Sequence, residues 1–213
     1  DYLVDFINAY LAEAISTEDI VWAYSGVRPL YDDGASSASA ATRDYVLKLD
    51  ESRGAPSLNV FGGKITTYRC LAESAMEEIE KVLPVSVKAW TAGVALPGGD
   101  FEVDGVDALV AQTKQSFPFL SNRCALRLVR AYGTEVPAVL GHAKSEDDLG
   151  QNFGANLFAS EVEWLIDREY ARSAQDVVWR RSKLGLRMDR DQISALDQWM
   201  KDRLTAEHTA AAE

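Results

Sequence analysis

An α+β chain in two parts is what this sequence predicts: a first region with a few strands and helices, followed by a small all-α C-terminal domain. Three observations predict it. Two strand-like runs, "RDYVLKLD" and "LNVF", flank the turn "ESRGAPS", and the second ends on Gly62 and Gly63 just before a helical pattern begins. After residue 85 the strand texture disappears, and apolar residues recur at helical spacing. The first 85 residues also hold too few strands to close a sheet with covered edges, so sheet partners are expected in other sequence or another chain. The boundaries drawn are 1–85, 86–206 and a loose tail at 207–213.

Taken in order, Leu3, Val4, Phe6, Ile7, Tyr10 and Leu11 predict an amphipathic helix over residues 2–14. Ser16 and Asp19 have the spacing of a capping box and mark a second start. The β-branched and aromatic run "DIVWAYSGVRPL" reads as a strand that finishes at Gly26 and Pro29. Residues 32–41, "DDGASSASAA", have little to bury and read as a surface loop. Tyr45, Leu47 and Leu49 alternate with polar positions as a half-buried strand does. From about Thr67, the residues Cys70, Leu71, Ala75, Ile79 and Val82 predict a helix that Pro84 stops.

In the second part, Val106, Leu109 and Val110 start one helix, and Ala125, Leu128, Val129 and Tyr132 line another that Gly133 can close. Thr134 is placed to cap a short helix through "EVPAVLGH". Ser160 with Glu163, Ser173 with Asp176, and Asp189 with Gln192 are cap-like pairs ahead of helical spacing. The five tryptophans read as core residues more readily than as cofactor stackers.

With 22 basic against 33 acidic residues, the formal charge of −11 disfavours non-specific attraction to nucleic acid, so any anion site must be local. Cys70, Cys124, His142 and His208 offer no metal-ligand spacing, so no metal is expected. Both cysteines read as buried free thiols in a reducing compartment. The first residues lack a signal-peptide pattern and an initiator methionine, and they begin inside a helical pattern, which reads as an excised piece.

The stretch "LNVFGGKITTYR" carries the clearest chemistry. A strand, two glycines and a helix start leave main-chain N–H groups without intrahelical partners, while Lys64 adds a charge and Thr66 and Thr67 add hydroxyls. Two readings follow: a basic turn, or a platform for an anion or an electron-rich ring. Asn59 stands where a phosphate loop needs its first glycine, so that motif is absent. Arg28, aimed by the extended backbone that Pro29 imposes, and Arg43 lie near expected strand ends. Read alone, each is an ordinary surface or ion-pair residue. With Lys64 they could converge on one dianion. "RRSKLG" is a basic helix end that suits the helix dipole and offers a contact to another domain.

Together, "AYSGVRPLYDD", "ATRDYVL" and "FGGKITTYRCLAESAMEEI", with "RRSKLGL" further on, resemble the C-terminal part of the aerobic, quinone-linked, flavin-dependent glycerol-3-phosphate dehydrogenases. The resemblance implies that residues 1–85 are a partial FAD and substrate-binding segment and that residues 86–206 are the helical C-terminal domain. The whole enzyme would oxidise sn-glycerol 3-phosphate to dihydroxyacetone phosphate and pass electrons from FAD to a quinone, in the cytoplasm at the membrane face. Arg28 and Arg43 fall on the family's substrate-phosphate arginines, and Lys64 on its lysine beside flavin and substrate. Gly62, Gly63, Lys64, Ile65 and Thr66 match the segment that meets the flavin ring, the glycines allowing close approach.

The dinucleotide fingerprint G-x-G-x-x-G is absent, so no FAD is expected bound to this chain alone, which is expected to be inactive without the missing N-terminal FAD-binding portion. Two other readings stay open: a non-catalytic helical docking module, and part of a glycerol-3-phosphate oxidase that uses oxygen. A homo-oligomer is compatible with each.

Overall fold

A computed structural model describes residues 1–27, 29–37, 40–52, 54–84 and 88–210, with two compact units, Asp1–Val94 and Ala95–Glu213. In the first unit, helix α1 spans Tyr2–Asn8, shorter than the expected 2–14. Asn8 explains the stop. Its side chain donates to the Ile15 carbonyl at 2.8 Å and accepts from the Ile15 N–H at 2.9 Å, so it closes a loop where a helix would continue. The Ser16–Asp19 capping box does form, but it starts only a single 3-10 turn, Thr17–Asp19.

The strand expected within "DIVWAYSGVRPL" is absent over the described residues 20–27, which have no regular structure; Val21, Tyr24 and Val27 are exposed. A β-branched run becomes a strand only when a neighbour accepts its hydrogen bonds, and among the described residues no strand pairs with it. Two strands remain. β1, Tyr45–Asp50, pairs antiparallel with β2, Ser57–Gly62, in a register running from Tyr45 opposite Gly62 to Asp50 opposite Ser57. A 3-10 turn, Ile65–Thr67, then leads into α2, Tyr68–Ile79, which ends ahead of Pro84. The Tyr45 hydroxyl lies 3.1 Å from Ser74 Oγ and ties β1 to α2.

Among the described residues, no side chain of the first unit is fully buried, and Ile65 is 89% exposed. The second unit is different. It contains α3 (Val106–Ser116), α4 (Asn122–Tyr132), α5 (Val136–Leu140), α6 (Ala159–Glu169), a π-helical segment (Asp176–Arg181) and α7 (Arg190–Ala210). Leu128 and Val129 of α4, Leu165 and Ile166 of α6, Val177 and Val178, and Leu196 and Met200 of α7 meet in one core. Each such burial is worth about 1.5–3 kcal/mol.

Gly133 closes α4 with φ +54°, as its position predicts, and a Cβ there would meet the Gly98 carbonyl oxygen at 1.8 Å. The neighbouring Thr134 N–H donates to that same oxygen at 3.0 Å; Thr134 makes no side-chain cap for α5. The caps at Ser173–Asp176 and Asp189–Gln192 form as expected, with Gln192 N–H donating to Asp189 Oδ1 at 2.8 Å. Ser160–Glu163 does not form a cap. Phe158 precedes the first turn of α6, Ser160 Oγ is buried without a partner among the described residues, and Glu163 pairs with Arg203 of α7 at 2.8 Å.

The cysteines divide: Cys124 is buried, whereas Cys70, expected to be buried, is exposed on α2, whose inward face has too little above it to cover a thiol. Among the tryptophans, Trp164, Trp179 and Trp199 pack against the second unit's core, but Trp90 is 64% exposed in the coreless first unit.

Candidate functional site

The turn after β2 is built by backbone demands. Gly62 and Gly63 take φ +68° and +97°, values that side chains rarely accept. The space beside each is also filled by the chain itself. A Cβ on Gly62 would come within 3.1 Å of the Asp44 carbonyl oxygen and within 3.8 Å of Pro29 O and Tyr31 N; one on Gly63 would meet Leu71 Cδ1 at 3.3 Å. The glycines are therefore required by the fold itself, before any ligand is considered.

Those contacts locate three segments at one point: the end of β2, the residues leading into β1, and the stretch that follows Arg28. Tyr31 is held there by Phe61, at a ring separation of 5.5 Å, and by Lys48 Nζ, 4.8 Å over its ring. Arg28 itself lies outside the described residues. Arg43 is exposed and stands one residue before Asp44, whose carbonyl approaches Gly62. The loop that delivers Arg43 is shaped by Asp33, which accepts from Thr42 N–H at 2.8 Å and Ala35 N–H at 3.0 Å. The N–H of Thr42, then that of Ala35, hold the Asp33 carboxyl below the usual carboxylate range.

On the far side of the turn, Lys64 is extended at φ −111° and ψ 148°, and its carbonyl accepts both the N–H and the hydroxyl of Thr67 at 3.0 Å. Lys64, Ile65 and Thr66 are exposed. Their N–H groups open the turn that feeds α2, where a helix has no internal acceptors, and the dipole there favours negative charge. The donor set is main-chain N–H, an ammonium and a hydroxyl. It suits the electron-rich edge of a planar ring or a phosphate oxygen, so these residues fit a flavin's polar edge.

A second polar cluster escaped the sequence reading. Glu161, 3% exposed on α6, accepts two bonds from Arg127 of α4 at 2.7 and 2.6 Å and one from the Tyr132 hydroxyl at 2.8 Å. Burial works against the Arg127 charge, but the bonds and charge of Glu161 outweigh it; burial and Glu161 push the Tyr132 hydroxyl far up. One sequence signal was available: Glu161 lies on the helical face of Leu165, where a charge is anomalous. The cluster has the form of a buried structural ion pair, not of a reactive site.

The "RRSKLG" cations are engaged locally. Arg180 pairs with Asp176 at 2.8 Å, Arg181 donates twice to the Glu169 carbonyl at the end of α6, and Lys183 donates to the Trp179 carbonyl. Among the described residues, no three His, Cys, Asp or Glu side chains could hold a metal, and no helix is long and apolar enough to cross a membrane.

A model of the C-terminal domain of alpha-glycerophosphate oxidase matches residues 89–208, more than half of the chain. The aerobic glycerol-3-phosphate dehydrogenase of Escherichia coli is 43% identical over 201 residues, covering 94% of this chain and 40% of that protein. A glycerol-3-phosphate dehydrogenase of Pseudomonas aeruginosa is 42% identical over 201 residues, with 94% and 39% covered. The D-erythritol 1-phosphate dehydrogenase of Brucella abortus is 38% identical over 199 residues, with 93% and 40% covered. The chain thus spans about 40% of the length of these relatives.

Proposed function

Because this chain belongs to the family of the alpha-glycerophosphate oxidase C-terminal domain, we propose that it is the C-terminal part of a flavoprotein that oxidises sn-glycerol 3-phosphate to dihydroxyacetone phosphate. The observation that carries this reading is the convergence at Gly62 of the Pro29–Tyr31 and Asp44 main chain with the exposed Lys64–Thr66 helix mouth. The relatives named for glycerol 3-phosphate support the substrate. In the whole protein, residues 1–85 complete the FAD and substrate region, and 86–206 form the helical domain. The missing N-terminal portion supplies the dinucleotide site and covers the first unit's apolar faces.

In this reading Arg28 and Arg43 hold the substrate phosphate, since a guanidinium fork matches two phosphate oxygens. Lys64, exposed at the helix mouth, would stabilise negative charge developing on the C2 oxygen as its proton leaves. An ammonium has donors and no lone pair to take a proton, so the proton goes to a group outside this chain. The N–H groups of Gly63, Lys64, Ile65 and Thr66 would hold the polar edge of the isoalloxazine. When bound, FAD supplies the acceptor for the C2 hydride and passes the electrons to a quinone. The whole protein works in the cytoplasm, associated peripherally with the membrane. This chain alone has no turnover.

One observation favours a second acceptor: the matching family model is named for an oxidase, which points to oxygen. The relative named for D-erythritol 1-phosphate likewise widens the substrate class to short phosphorylated polyols.

The test is steady-state kinetics of the whole protein with glycerol 3-phosphate, using a quinone and then oxygen as acceptor. Arg43→Ala should raise KM by about tenfold or more, the loss expected for a charge-assisted bond, with a smaller change in kcat. Lys64→Ala should lower kcat. Unchanged kcat/KM in both variants would overturn the assignment.

A further inference from the structure

Beyond α2 the chain returns alongside that helix at Lys88–Thr91, just before the first unit ends at Val94. The two do not close on each other. A groove of about 520 Å³ lies between Ala72, Met76 and Glu77 on the helix and Ala89 and Trp90 on the returning strap. Trp90 is 64% exposed and Met76 39%, so apolar packing holds the strap weakly.

Among the described residues, Thr91 attaches it to α2 by polar contacts. The Thr91 hydroxyl donates to Glu73 Oε1 at 2.5 Å, and Arg69 Nη1 reaches both Glu73 Oε1 at 3.0 Å and Thr91 Oγ1 at 3.5 Å. Thr91 also begins the 3-10 turn Thr91–Gly93 that carries the chain out of the unit. The Thr91 hydroxyl, working against slight desolvation and aided by Arg69, holds the Glu73 carboxyl below the usual carboxylate range.

We infer that Arg69, Glu73 and Thr91 form a releasable latch that fixes the segment leaving the first unit to α2, the helix that starts at the Gly62–Thr66 turn. A strap held through a charge-assisted bond beside an open groove opens locally at lower free energy once that bond is lost, whereas a packed strap opens only with its neighbours. Latched, the exit segment moves with α2; released, it moves separately. This inference stands independently of the redox reading, because it uses only contacts within the first unit.

Hydrogen exchange by mass spectrometry on the whole protein, read over residues 88–94, tests the latch. Thr91→Val keeps the shape and removes the hydroxyl; exchange there should accelerate by about tenfold or more, the effect of losing one hydrogen bond to a charged group. Thr91→Ser should exchange at the wild-type rate, and Glu73→Gln at a rate between. Wild-type exchange in Thr91→Val, a Thr91→Ser rate equal to that of Thr91→Val, or equal acceleration in α6 would each overturn the proposal.

Discussion

The two units differ in how they dispose of apolar surface. In the second, α4, α6 and α7 turn Leu128, Leu165 and Leu196 into one core, each at most 2% exposed. In the first, Leu3 is 76% exposed, Tyr24 81% and Ile65 89%, and the two-stranded sheet covers neither of its faces fully. An isolated hairpin is marginal in water, and a helix on one side adds little when its own apolar stripe stays wet. The second unit therefore has the means to fold by itself. The first has correct local geometry without the burial that fixes it.

That contrast can be broken most severely at Glu161. Glu161→Ala leaves the Arg127 charge buried and unpaired, and should cost about 3–5 kcal/mol of second-unit stability, read by urea unfolding followed through tryptophan fluorescence. Leu165→Ala, in the same core, should cost about 2–5 kcal/mol; Leu3→Ala in the first unit should change stability by less than about 0.5 kcal/mol. Similar values for the two leucines would remove the distinction.

Acid gives a milder contrast. Asp176 sits low against the opposition of partial burial, through N–H groups of Arg172 and Ser173, the Ser173 hydroxyl and Arg180. Its folded pKa lies below the unfolded one, so its stabilisation is complete above the ordinary value of about 4 and is lost as pH falls through the lowered one. The second unit's Tm should therefore drop below about pH 4, and Asp176→Asn should flatten that drop.

Much of this was legible from sequence where the cause is local. The caps Ser173–Asp176 and Asp189–Gln192, the closing Gly133 and the strand, double glycine and helix sequence all depend on residues within a few positions of one another. Ser160–Glu163 has the same spacing and failed, because Glu163 finds Arg203 40 residues away. The run at 20–27 has strand composition, yet composition supplies no hydrogen-bonding neighbour. The Arg127–Glu161 pair spans 34 residues, and periodicity registers only one anomalous charge on an apolar face. At the candidate site, the glycine turn was legible from its residue types. That Gly62 abuts Asp44, Pro29 and Tyr31 was not, since tertiary closure brings those together.

The most direct measurement is amide hydrogen exchange on this chain alone and then on the whole protein. The account predicts that α4, α6 and α7 are strongly protected in both, while β1, β2 and α2 exchange rapidly in the chain alone and become protected only in the whole protein. Protection of β1, β2 and α2 equal to that of α6 in the chain alone would contradict it.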